Sequence, residues 1–488
     1  MHKLKHKKFP KYFLDSFLAA GIDCLNEGEF KYHKRYDVKF ALLAFKGIEK
    51  VKDYSDPLFI WSSVFLALYH WKFPGTEEYF KAESIFRVSR LFKMYPFNEV
   101  IKRSKMYKMD NKRTFRKKIS SDDQEFKRRV WWAYYIQRSV INVVGSGFPI
   151  ISIQDVEVKY PKDDFKYKYG GFVEDIDPEL GKLNYMANNL PRDSLPPDRF
   201  WFVIKVQMFF GRMQRFVGNR WLKTRDHGLV EKRIAFSTRT LKTIKHIIDK
   251  DYSGDVFQRA GEYYKTKEGF DLLNSVEPML IAYHLKHTYH AMNVICYESE
   301  LVRSEHDPVS PRRIKVAKLE MLDSAFKSYS LFKWGERIIP NEDIYSSVAI
   351  WRFIPISVIL NYKYTLNRSG SSECDSIFED LVHGMKIASD RSFTLKYIYV
   401  LTYSIYVMKN ESYIDNRGKE NILFLMKPYA VTRHDLQPWL IPKYATFFKF
   451  GCCLAGNRTP LDVQKYLFLE SKIECGSKRK RCDAMNDL

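Results

Sequence analysis

The stretch FKRRVWWAYYIQRSVINVVGSGFPI, residues 126–150, crowds three arginines, two adjacent tryptophans and two tyrosines ahead of a glycine-flanked turn. Phe126, Val130, Tyr134 and Ile141 recur at helical spacing, and Trp131, Ala133, Tyr135, Val140 and Val144 spread apolar surface around the remaining sides. Ser121 followed by Gln124 forms a capping box at the entry. Gly145 stops the helix, and Gly147 with Pro149 turns the chain into an extended run ending at Pro161. The pattern predicts a helix over 122–144 buried on most sides, with arginines at its entry reaching out to water. A platform for stacking unpaired bases needs exposed rings, which an all-round apolar helix does not offer.

The same periodicity recurs outward from this helix, over 54–72, 77–95, 200–217, 230–249, 276–299, 313–334 and 344–366. Runs of strict alternation are few. The fold class expected is all-α: a large multi-helical domain of packed helical hairpins with one long irregular loop. That loop is 160–198, which holds Gly170, Gly171 and five prolines. Residues 1–50 read as a basic N-terminal helical segment and 51–365 as the main helical domain. Residues 366–470 read as a helical extension and 471–488 as a basic disordered tail. Ser369–Asp375 (SGSSECD) reads as a linker. Phe13, Leu14, Phe17, Leu18, Ala19 and Ala20 form a short apolar set broken by Asp15, better suited to an amphipathic helix than to a signal peptide. No run reaches the roughly 18 apolar residues of a membrane span.

Of 488 residues, 45% are hydrophobic and 28% charged, the profile of a globular protein rather than a disordered chain. Lys and Arg number 81 against 58 Asp and Glu, a formal charge of +23, which favours polyanionic partners or a lysine-rich solvated surface. Seven cysteines without paired spacing point to a reducing compartment. The tract 101–118 concentrates this charge: Lys102, Arg103, Lys105, Lys112, Arg113, Arg116, Lys117 and Lys118 are candidate nucleic-acid contacts, with Tyr107 and Phe115 between them. A solvated loop would have the same composition. Lys478, Arg479, Lys480 and Arg481 form a candidate nuclear-localisation cluster in the tail.

Catalytic patterns are missing. The chain has no GxSxG elbow, GxxxxGK[ST] loop or HExxH, so no catalytic residue is assigned and an enzyme is not expected. His284, His287 and His290, at steps of three, bring neighbouring imidazoles within reach of one another. They fit core or interface histidines, or, as a weaker reading, a metal-dependent enzyme. No carboxylate or cysteine pair beside them supports a metal.

KRRVWWAYYIQRSV, followed by GFPI, QDVEV and Tyr160-Pro161, resembles the fungal-specific transcription factor domain, the middle homology region of fungal regulators that carry a zinc binuclear six-cysteine cluster. The residues that match the signature are Arg128, Arg129, Trp131, Trp132, Tyr135, Arg138, Gly147, Pro149, Asp155 and Pro161. ESIFRVSRLFKMYPF upstream and MLIAYHLKHTYHAMNVICY downstream are similar to flanking helices of that family. The resemblance implies a nuclear protein that regulates RNA polymerase II transcription. DNA, reached directly or through a partner, and the transcription machinery are the implied partners, with homo- or heterodimers among the arrangements and no membrane. Zinc is implied by family analogy alone. Cys24 stands by itself near the N-terminus, and Cys475 and Cys482 give only two of six thiolates, with Lys472 where another would stand. The expectation is a regulator lacking its zinc cluster, or a fragment of one. The alternative is a helical scaffold or adaptor binding RNA, membrane or protein through a basic face.

Overall fold

A computed structural model describes residues 9–21, 36–51, 56–72, 125–136, 158, 160–161, 199–219, 227–252, 254, 257–258, 261–262, 277–300, 310–339, 351–363, 371–389, 399 and 402. Among these residues there are ten helices and no strand, so the fold is all-α as the periodicity requires. None of the helices is long and apolar enough to cross a membrane.

The first three, α1 (Lys11–Gly21), α2 (Tyr36–Ile48) and α3 (Pro57–Lys72), close a small core of Ala19, Val38, Ala41, Ala44, Phe45, Ile48, Phe59, Leu66 and Tyr69. Asp56 caps α3: its Oδ1 accepts the Leu58 amide at 2.9 Å, and Pro57 occupies the first helical position, where no amide donor is needed. Tyr12 of α1 donates to the other Asp56 oxygen at 3.2 Å, tying the cap to the neighbouring helix. Trp61 of α3 stacks on Phe126 of α4 (125–136) at 5.6 Å and 8°, and this contact leads into the main core.

That core is organised by α7 (Glu277–Glu298), which packs against α5 (Arg199–Asn219), α6 (His227–Asp251), α8 (Pro311–Ile338) and α9 (Phe353–Lys363). A helix with neighbours on so many sides must be apolar nearly all round, and Ala282, Tyr283, Leu285, Ala291, Met292, Val294, Ile295 and Cys296 are all buried. Ser310 caps α8 by accepting the Arg313 amide, with Pro311 next in sequence. Arg313 then pairs with Glu231 of α6 at 2.9 Å and with Glu300 beyond the end of α7 at 2.6 Å, fastening three elements at one corner.

The reading of 369–375 as a linker is corrected over 371–375; residues 369 and 370 lie outside the described residues. Ser371–Ser389 is a helix, α10, packed on α9, and its Ile377, Phe378, Leu381, Val382 and Met385 join the main core. Glu373 in the first turn complements the positive helix end, so a stretch composed like a loop begins a helix. Tyr160 and Pro161 apart, the irregular loop 160–198 lies outside the described residues. So do the expected helix 77–95, the capping box, the turn at 145–149 and everything after 402.

Candidate functional site

The aromatic helix of the opening stretch is architecture. Trp131 and Trp132 are buried at 2% and 0% exposure and meet edge to face at 4.8 Å; Tyr135 stacks on Trp131 at 5.7 Å. The arginines do not reach water as expected. Arg128 and Arg129 both pair with Glu125, at 2.6 and 2.9 Å, and all three side chains are largely enclosed. The physical reason lies one residue before the quoted stretch: a carboxylate three and four positions ahead sits on the same helical face as both guanidiniums.

Trp132 stacks on Tyr160 at 5.1 Å and 12°, and Tyr160 meets Trp201 edge on at 6.1 Å. These rings surround Lys205 of α5. Its Nζ lies 4.2 Å from the Tyr160 centroid and 5.2 Å from that of Trp201, is fully buried, and has no hydrogen-bond partner among the described residues. Loss of hydration penalises the ammonium form and lowers the Lys205 pKa to about 7, while the ring faces offset part of that penalty. Lys205 is therefore divided between amine and ammonium at neutral pH. Burial also pushes the Tyr160 phenol up, so it stays protonated and donates to Met208 Sδ at 3.5 Å.

On α7 the three histidines diverge. A step of three residues turns back by about 60°, so each ring meets different neighbours. Gln207 of α5 donates its Nε2 to His284 Nε2 at 3.0 Å. His287 shares a hydrogen bond with Ser328 of α8 at 3.3 Å and lies against Phe332 at 4.1 Å. His290 packs on Tyr289 at 5.2 Å. Burial holds His284 and His290 at about 4 and His287 well below its ordinary value, so all three are neutral at pH 7. Among the described residues no three His, Cys, Asp or Glu side chains converge to hold a metal ion.

Beside them, Arg352 pairs with Glu336 at 2.6 Å and lies 4.5 Å over the Phe332 ring. Gly384 of α10 admits this ion pair, since a Cβ there would overlap both the guanidinium and the carboxylate. What has been built is a seam of buried polar groups between helices, suited to fixing their register.

Of the signature residues, Arg128, Arg129, Trp131, Trp132, Tyr135 and Pro161 are described. The structure brings Trp132 onto the Tyr160 that precedes Pro161, joining the beginning and the end of the motif. Arg138, Gly147, Pro149 and Asp155 lie outside the described residues. Lys102, Arg103, Lys105, Lys112, Arg113, Arg116, Lys117 and Lys118 do too, as do Lys478, Arg479, Lys480 and Arg481. Sequence reasoning missed Lys205, Gln207, Glu125 and Arg352. The first two left a signal: a lysine and a glutamine inside FWFVIKVQMFF, where an all-round apolar helix leaves polar side chains no route to water. In comparisons with known proteins, no family model matches the chain, and no curated protein or solved structure matches it significantly.

Proposed function

We propose that this chain is the all-helical regulatory domain of a fungal nuclear regulator of RNA polymerase II transcription, with no catalytic step of its own. The observation that carries the reading is the motif that resembles the fungal-specific transcription factor domain, and the way its described part packs. Trp131, Trp132 and Tyr135 fill the core and Trp132 closes on Tyr160, so the motif acts as the centre of a helical domain rather than as a surface site. DNA binding and zinc come to this reading from the family alone, through a cluster on this protein or on a partner. Lys478, Arg479, Lys480 and Arg481 supply the route to the nucleus.

The test is localisation together with a reporter. A fluorescent fusion is expected to accumulate in nuclei and to spread into the cytoplasm when those four residues become alanine. Tethering the chain to a reporter promoter through a foreign DNA-binding domain is expected to change transcription. A cytoplasmic protein that leaves the tethered reporter unchanged refutes the reading. The second reading, a helical scaffold binding RNA, membrane or protein through a basic face, is favoured by the exposed cations of α6; recovery of the cytoplasmic protein with bound RNA would select it.

A further inference from the structure

Helix α6 has two opposite faces. Val230, Ile234, Leu241, Ile244 and Ile248 are buried against the core. At 100° per residue, Lys232, Arg239, Lys242, His246 and Lys250 fall on the other side, and all five are exposed. Lys232, Arg239 and Lys242 form no ion pair among the described residues. Two of the carboxylates of α6 are engaged elsewhere: Asp249 holds Lys245, and Glu231 holds Arg313. Pairs one turn apart, Lys245 with Asp249 on α6 and Lys327 with Asp323 on α8, neutralise part of each helix, and Lys232, Arg239 and Lys242 lie outside such pairs. Arg239 and Lys242, three residues apart on one face, repel one another, and a polyanion removes that cost.

We propose that this face of α6 binds the phosphate backbone of duplex DNA without regard to base sequence. From Lys232 to Lys250 it runs for about 27 Å, at 1.5 Å per residue, beside a polymer carrying one charge per about 1.7 Å of axis. The exposed residues of α6 include no phenyl, phenol or indole ring, so the face has no platform for unpaired bases. The apolar face of α6 is buried in the protein, which removes the surface an interfacial helix would insert into lipid. The choice of DNA among polyanions rests on the regulator reading; the rest of the inference stands on charge and exposure.

The experiment measures binding of the full chain to a random-sequence duplex of about two helical turns, from about 50 to 200 mM salt. It compares K232Q/R239Q/K242Q with R312Q/K315Q/K327Q, which removes the same charge from α8. The α6 variant should bind about tenfold or more weakly, with a log–log salt slope shallower by about 2.7, at 0.9 per lost phosphate contact. The α8 variant should stay close to the parent. Thermal melts confirm that both variants fold. Equal loss in the two variants reduces the effect to net charge and overturns the inference. Duplex binding that is indifferent to the α6 changes overturns it while leaving the regulator reading intact. No duplex binding, or preference for single-stranded RNA or for phosphatidylserine vesicles, overturns the inference, while the regulator reading stands or falls by the localisation and reporter test.

Discussion

Replacing Lys205 with methionine removes one amine and keeps most of its volume inside the ring cage of Tyr160 and Trp201. The direction of the effect follows from linkage. A lysine depressed from 10.5 to about 7 binds its proton more weakly in the folded protein than in the unfolded chain, so unfolding takes up a proton between those values. Stability contributed by the neutral amine is fully present above about pH 10.5 and is lost as pH falls toward 7. At pH 7 the loss is about 4 kcal/mol and at pH 9 about 2 kcal/mol, from 1.36 kcal/mol per pKa unit. The cation–ring contacts, worth about 1 to 2 kcal/mol in a dehydrated site, already act within the folded-state pKa. Lys205→Met is therefore expected to be more stable than the parent at pH 7, with an advantage that shrinks by about 2 kcal/mol on going to pH 9. Urea unfolding of both proteins at the two pH values measures this difference, and every other titrating group cancels between them. An advantage that is the same at both values would mean that the Lys205 ammonium is solvated or paired, and the account of its cage would be wrong.

Trp132→Ala should destabilise by about 3 to 5 kcal/mol, since the ring is fully buried between Trp131, Tyr135 and Tyr160; an unchanged melting curve would place it at the surface. Gly384→Ala forces a Cβ into the Arg352–Glu336 pair and should cost about 1 to 3 kcal/mol in thermal unfolding, whereas Ala at exposed Gly254, which meets nothing within 4 Å, should cost far less. Acid should loosen the α7 seam. His287 is depressed well below 6.5, so its contribution is complete above pH 6.5 and falls as pH drops, by up to about 1.4 kcal/mol per pH unit, with His284 and His290 adding to it down to about pH 4. Stability that stays flat from pH 7 to 5 would contradict their burial as neutral rings.

The helical class was legible because the apolar residues of α5 to α8 repeat at three and four positions, and burial follows that repeat. The burial of Trp131 and Trp132 was legible too, since a helix that is apolar on every side has no surface to offer. The start of α10 was not legible. Its first residues, SSECD over 371–375, are of the types that open helices and also of the types that make linkers, so composition did not separate the two. Arg128 and Arg129 were misread for a related reason: a guanidinium beside an apolar face can reach outward or find a carboxylate, and Glu125 lies just ahead of the stretch that drew attention.

The polar seam shows where periodicity stops being informative. His284, His287 and His290 have one spacing but three environments, because the 60° step between them turns His284 toward α5 and His287 toward α8 while His290 packs on Tyr289 of its own helix. Their partners, Gln207 and Ser328, come from α5 and α8, which no local window brings together. The same holds in part for Lys205: Trp201 stands one turn ahead on α5, but Tyr160, which helps to bury the amine, arrives from a distant part of the chain. Yet such residues are marked in advance by contradiction: a lysine inside FWFVIKVQMFF violates the pattern around it. A basic residue on the outer face of α6 violates nothing singly, and only the run of one sign along the helix distinguishes it from a solvated surface. Interior sites in this protein thus announce themselves as exceptions to the hydrophobic repeat. The proposed DNA face announces itself only as a line of like charge on a chain that is basic throughout, and that is why removing charge from α6 and α8 in parallel, rather than from α6 alone, is what separates a site from net charge.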